Sequence, residues 1–133
     1  MKGAEISPIH DPAALAALAG RCHVYGPGPA DLSYGLRERG EIIAFISWRP
    51  VCDQADLLAL AVAENYRRRG LARRLILETA PPALLTLEVA ENNDPARRLY
   101  ESLGFQPVGR RADYYGPGRP ALVLQKDRRF SAN

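Results

Sequence analysis

An α/β (α+β) domain, built on a mixed sheet with helices on its faces, is the fold class this sequence predicts. Three observations carry it. Short apolar runs of strand length alternate with segments whose apolar residues recur at helical spacing. Two helix starts are marked by a short polar residue followed by proline, at Asp11-Pro12 and Asn93-Asp94-Pro95. Glycine or proline falls at the junctions, as at Gly40, Gly70, Pro81-Pro82 and Gly104. A chain of 133 residues, 47% hydrophobic and 25% charged, has the size and composition of one soluble core. A single domain over residues 1–127, with a frayed tail at 128–133, is expected.

The elements follow in order. Ala4 to Ile9 alternates weakly and is a first strand. Asp11 caps and Pro12 opens a helix through Ala13 to Ala19 that stops at Gly20. Residues 26–30, Gly-Pro-Gly-Pro-Ala, form a loop. Leu32 to Arg37 and Glu41 to Trp48 are paired strands around a tight turn at Glu38-Arg39-Gly40. Asp56 to Val62 is the next strand; a helix then runs from Gly70 to about Thr79, and Pro81-Pro82 ends it. Leu84 to Val89 is a short apolar strand. The last helix takes Asp94 as its N-cap, Pro95 at N1 and Gly104 as its stop. Phe105 to Arg110 and Ala121 to Lys126 form a final antiparallel pair, with Tyr114-Tyr115-Gly116-Pro117-Gly118 on the loop between them.

Charge is unevenly placed. The net charge is +3, yet residues 1–60 sum to −2 and residues 61–133 to +5. The basic half suits a phosphate-bearing ligand or an acidic surface and is too mild to make nucleic acid the leading partner. Its focus is Arg67-Arg68-Arg69-Gly70-Leu71-Ala72-Arg73-Arg74, five arginines at a helix start. Cations there oppose the helix macrodipole, which favours acids in a first turn. Two readings stay open: a solvated face in an arginine-rich chain, or an anion cradled by free N–H groups and guanidinium groups. The strand–Gly–helix context favours the cradle. Neither a nucleotide P-loop nor G-x-G-x-x-G is present.

Cys22 and Cys52 fit no CxxC or catalytic pattern and read as reduced, partly buried thiols. His10 and His23 are isolated and make no metal site. No apolar core follows Met1-Lys2 and no apolar run approaches ~18 residues. Neither an export signal nor a membrane span is expected, and the cytoplasm is the natural location. Trp48 is a core residue on a strand face.

Two motifs then resemble one family. Arg67-x-x-Gly70-x-Ala72 after a strand resembles the acyl-CoA signature of the GNAT superfamily of N-acetyltransferases. Leu87-Glu88-Val89-Ala90-Glu91-Asn92-Asn93 and Leu99-Tyr100-Glu101-Ser102-Leu103-Gly104-Phe105 resemble the second half of that fold. With Arg110-Arg111-Ala112-Asp113-Tyr114-Tyr115, the chain is most similar to the ribosomal-protein-alanine (RimI-like) group. Ala72 stands where that family more often has glycine, and the helix after Gly70 is short for the group. The resemblance implies a mostly antiparallel sheet with a splayed parallel pair at an acetyl-CoA site. It implies that Leu60, Ala61 and Val62 offer backbone groups to the pantetheine arm. Arg67, Arg68, Arg69, Gly70, Leu71, Ala72 and Arg73 would wrap the pyrophosphate, chiefly through main-chain N–H groups. Asn93 would hydrogen-bond the pantetheine chain, Glu88 would be the general base, and Tyr100 the general acid.

Read from the residues alone, these roles have plain competitors. Glu88 points away from the face shared by Leu85, Leu87 and Val89, as a solvated acid also would. Tyr100 lies beside the apolar row Ala96-Leu99-Leu103, as a core-covering aromatic would. Asn93 could equally cap its helix. Tyr114 and Tyr115, on a Gly/Pro-rich loop, mark a recognition surface, which in the family borders the acceptor.

The activity implied is acetyl transfer to a protein N-terminal α-amino group, that of a ribosomal protein foremost. The acceptor could instead be a small amine metabolite or drug, and a non-catalytic acyl-CoA-binding regulatory module is a third reading. A monomer or weak dimer is expected, without nucleic-acid or membrane partners.

Overall fold

The computed structural model describes residues 5–22 and 31–129. These form a mixed seven-stranded sheet with three α-helices, in two compact units. One unit comprises the chain up to Val51 with Leu57–Ala80; the other comprises Cys52–Asp56 and the chain from Pro81 onward.

In the first unit, β1 (Ser7–Pro8) pairs antiparallel with β2 (Leu32–Glu38), and β2 with β3 (Glu41–Val51). Strand β1 is shorter than the predicted Ala4–Ile9; Ala4 and the 26–30 loop lie outside the described residues. The β2–β3 turn holds Arg39 at φ 53° and Gly40 at φ 82°. Two left-handed central residues make the primed turn whose twist matches that of the strands it joins. Helix α1 (Pro12–Arg21) begins as expected, with Asp11 Oδ1 accepting from the Ala14 N–H at 3.1 Å. It does not stop at Gly20, which is continued to Arg21, and Cys22 caps it. Its face of Leu15, Leu18 and Ala19 packs with Ile9, Ile42, Phe45, Ala59 and Ala61. Full burial of each large apolar side chain contributes about 1.5–3 kcal/mol. Trp48 is 0% exposed, and its indole N–H donates to Thr79 Oγ1 at 2.9 Å. Buried Ser33 and Ser47 satisfy each other at 2.7 Å.

Strand β4 (Gln54–Val62) starts in the second unit and continues in the first. A 3-10 turn, Glu64–Tyr66, then leads through Arg67–Gly70 into α2 (Leu71–Thr79), which buries Leu75 and Ile76.

In the second unit, β5 (Leu84–Ala90) runs parallel to β4 over three pairs, Gln54–Asp56 against Leu84–Thr86. It is antiparallel to β7 (Ala121–Asp127) along its whole length. Strand β6 (Gln106–Arg111) pairs with β7, with a bulge between Pro107 and Gly109. Helix α3 (Asp94–Ser102) is capped by Asn93, whose Oδ1 accepts from the Ala96 N–H at 3.3 Å. Asn93 thus takes the cap predicted for Asp94, one residue earlier, because Asp94 already has helical position and places its charge in the first turn. Lys126 Nζ donates to the Leu103 carbonyl at 2.7 Å at the other end. Arg128 and Arg129, assigned above to the tail, are hydrogen-bonded to Pro81, Asp53 and Asp127; residues 130–133 lie outside the described residues.

Of the two thiols, Cys22 is half-buried and Cys52 exposed. Cys52 is not partly buried as expected because it occupies the turn after Val51 with φ 56°, where its side chain leaves both strands. His23 lies outside the described residues.

Candidate active site

The first unit carries the arginine-rich turn. Arg67 has extended backbone, Arg68 is left-handed at φ 64°, and Gly70 is left-handed at φ 76° and serves as N-cap of α2. Left-handed residues alternating with right-handed ones are the backbone feature from which concave, anion-binding N–H sites are built. No side chain caps α2, and the Arg74 N–H is the one that donates to the Gly70 carbonyl, at 3.0 Å. The amides ahead of it lie outside the helical ladder.

The arginines do not act alike. Arg67 folds back, its Nε donating to the Val62 carbonyl at 2.9 Å and Nη2 lying 3.8 Å from Cys22 Sγ. Its guanidinium therefore braces the end of β4, and Val62 O, assigned above to the pantetheine arm, already has a donor. Arg69 lies 5.0 Å over the ring of Tyr66, whose hydroxyl donates to Glu38. Arg74 pairs with Glu78 at 2.8 Å. Arg68 and Arg73 are exposed. Leu60 is half-buried and Ala61 buried, the alternation of a strand with one core face.

The second unit carries the proton-transfer candidates. Leu85, Leu87 and Val89 are buried while Glu88 is half-buried, which follows from the two-residue period of β5. Glu88 Oε2 accepts from Arg111 Nη1 at 3.3 Å, and the Glu88 carbonyl accepts from the Tyr115 hydroxyl at 3.4 Å. Tyr100 is 9% exposed and sits edge-on to Phe105 with centroids 5.9 Å apart. Burial, aided by Tyr115, pushes its phenol up to about 12. The phenol therefore stays protonated at neutral pH. Asn93 spends its side-chain oxygen on the α3 cap, which leaves only its amide N–H groups to offer a ligand.

Tyr114 and Tyr115, 43% and 38% exposed, form an edge-to-face pair with centroids 4.9 Å apart. Arg111 Cζ stands 4.4 Å over the Tyr114 ring. The loop is pinned by the Gly118 N–H donating to Asp113 Oδ1 at 2.7 Å. Arg110 grips Glu91 with contacts of 2.7 and 3.4 Å and holds that carboxyl below its usual range. Sequence reasoning gave no role to Arg111, Tyr66 or Glu38. The Arg110-Arg111 to Tyr114-Tyr115 spacing was the one available signal for the first of these. Among the described residues, no cluster of three or more His, Cys, Asp or Glu side chains could hold a metal, and no helix is long and apolar enough to cross a membrane.

In chain order, β4 is followed by a turn with left-handed Arg68 and Gly70 that opens the uncapped α2, then by the strand bearing Glu88 and the helix bearing Tyr100. The acetyltransferase (GNAT) family model matches residues 9–105, and this chain belongs to that family. Among its relatives, the ribosomal protein bS18-alanine N-acetyltransferase of Escherichia coli K12 is 39% identical over 94 residues, 66% of this chain and 64% of the relative. The chain thus spans less than two thirds of the length of that curated relative. The crystal structure of the Escherichia coli ribosomal-protein-S18-alanine N-acetyltransferase superposes with a TM-score of 0.82 at 29% identity, covering 97% of this chain and 96% of that one. A GNAT family acetyltransferase from Elizabethkingia anophelis with acetyl-CoA bound shares the fold at a TM-score of 0.75 and 15% identity, over 96% of this chain and 99% of that one.

Proposed function

We propose that this protein transfers the acetyl group of acetyl-CoA to the α-amino group of a protein N-terminus, with a ribosomal protein as acceptor. The observation that carries the reading is the Arg68–Ala72 turn, where left-handed backbone opens into an uncapped helix. Its N–H groups and exposed guanidinium groups suit a diphosphate, and coenzyme A carries one.

The chemistry follows from the residues. An α-ammonium has pKa ~7.7–8.0, so a carboxylate base suffices near neutral pH to free its lone pair. Glu88 takes that proton and gives it up to solvent before the next turnover. The nitrogen bonds to the thioester carbonyl carbon, the C–S bond breaks, and the sulfur leaves with the electron pair. Tyr100 donates a hydrogen bond to the departing sulfur, while the proton shed by the new amide nitrogen ends on it. Full transfer from a phenol near 12 to a thiolate whose acid is near ~8.5 is uphill by about 5 kcal/mol. The phenol therefore works by hydrogen bonding, with Tyr100 keeping its own proton at the end of the cycle. Binding both reactants side by side supplies much of the remaining acceleration.

The exposed Tyr114–Tyr115 pair favours an extended peptide over a small amine, because such a pair offers rigid contact area beyond the first residue. Incubation with acetyl-CoA and a panel of alanine-initiated peptides, polyamines and aminoglycosides, with the acetyl group located by mass spectrometry, tests the reading. Label on the peptide α-amine is the expected result. Turnover of small amines alone would remove the peptide acceptor.

A further inference from the structure

We propose that Arg111 is a displaceable counter-ion for Glu88: it occupies the carboxylate until the acceptor ammonium arrives, and is then kept by the ring of Tyr114 alone. This rests on the reading of Glu88 as the base. Arg111 reaches Glu88 through one contact of 3.3 Å, with the two side chains 56% and 30% exposed. Its neighbour Arg110 grips Glu91 through two contacts of 2.7 and 3.4 Å. A two-point fork is stronger and more directional than a single charge-assisted bond. An exposed single-contact pair is weak enough to exchange partners. While it holds Glu88, Arg111 also lies with Cζ 4.4 Å from the Tyr114 ring centroid, so the ring face keeps hold of the guanidinium when the carboxylate lets go. The Tyr115 hydroxyl holds the Glu88 carbonyl at 3.4 Å, so the strand keeps its place while the carboxylate changes partner.

The exchange has a chemical consequence. An α-ammonium is cationic at neutral pH and can replace a guanidinium without leaving the carboxylate unpaired. A neutral hydroxyl or thiol acceptor cannot. Arg111 therefore selects for amines and against other nucleophiles, besides guarding the base between turnovers.

Steady-state kinetics with an alanine-initiated peptide test this in Arg111→Gln and Arg111→Lys, with Tm measured for each. Removing the competitor lowers the peptide KM in Arg111→Gln by about two- to fivefold, the scale of an exposed ion pair. Arg111→Lys keeps the charge and stays near the wild-type KM. In a double-mutant cycle, Tyr114→Leu raises KM more with Arg111 present than in the Arg111→Gln background, because the ring contact matters only to that side chain. An unchanged or higher KM in a fully folded Arg111→Gln protein overturns the proposal. Should that variant fail to fold, the Nε–H resonance of Arg111 in the wild-type protein decides. It moves on adding the peptide if the exchange occurs, and stays fixed if it does not. Wild-type protein that acetylates no α-amine would instead remove the reading of Glu88 as base, a separate outcome.

Discussion

Replacing Gly70 separates what the fold needs from what an anion needs. Gly70 sits at φ 76°, and a Cβ added there meets nothing within 4 Å, so the cost of a side chain is backbone conformation alone. For an L-residue that cost is about 1–2 kcal/mol. Gly70→Ala should therefore lose about that much stability, roughly 3–7 °C in Tm for a chain of this size. Gly70→Asp should lose less, because Asp tolerates the left-handed region, caps helices well and complements the dipole by about 0.3–1 kcal/mol. Coenzyme A binding should rank the other way. Ala leaves the N–H groups in place and costs a few-fold, whereas a carboxylate facing a diphosphate should weaken binding by more than about tenfold, since one charge pair at short range exceeds 1.4 kcal/mol where solvent is partly excluded. Urea denaturation and isothermal calorimetry read the two quantities on the same samples. Equal affinity for Ala and Asp variants would refute an anion at this helix start, whatever their stability.

Glu88→Gln should depress turnover by about 10²–10⁴ at neutral pH with coenzyme A affinity nearly intact, and the deficit should shrink as pH rises past the amine's own pKa. Wild-type turnover at neutral pH would remove Glu88 from the reaction. Tyr100→Phe should slow coenzyme A release, measured by thiol capture. The same variant should alter the alkaline limb of stability. The folded phenol is raised to about 12, above ~10 in the unfolded chain, so its contribution is complete below pH 10 and fades as pH climbs from 10 to 12. That amounts to about 3 kcal/mol in wild type and nothing in Tyr100→Phe, as denaturant titrations at stepped pH would report. Thr79→Val strips the acceptor from the buried Trp48 N–H and should cost about 1–3 kcal/mol, with a shifted fluorescence maximum from the single tryptophan.

Local signals were well written in the sequence. Asp11-Pro12 placed a helix start, Glu38-Arg39-Gly40 a hairpin, and Gly70 the entry to α2, because caps and turns are decided by a few adjacent residues. The alternation through Leu85, Leu87 and Val89 likewise placed Glu88 off the core face. What stayed hidden depended on residues distant in the chain. Arg67 turns back to Val62 and Cys22, 45 residues away, and Arg111 finds Glu88 across 23 residues; neither pairing has a period or a motif. The exchange of caps between Asn93 and Asp94 was a one-residue ambiguity between two good capping side chains.

Strand β6 ends its sheet with every residue exposed, yet it carries a proline, a bulge and two terminal arginines. Proline 107 withholds a donor, the bulge breaks the flat ladder, and the charges repel a like partner. Such a border disfavours pairing with a strand of a neighbouring chain. Pro107→Val would return one N–H donor to that rim and remove one of its three guards, leaving the bulge and the arginines to keep it from becoming an aggregation template.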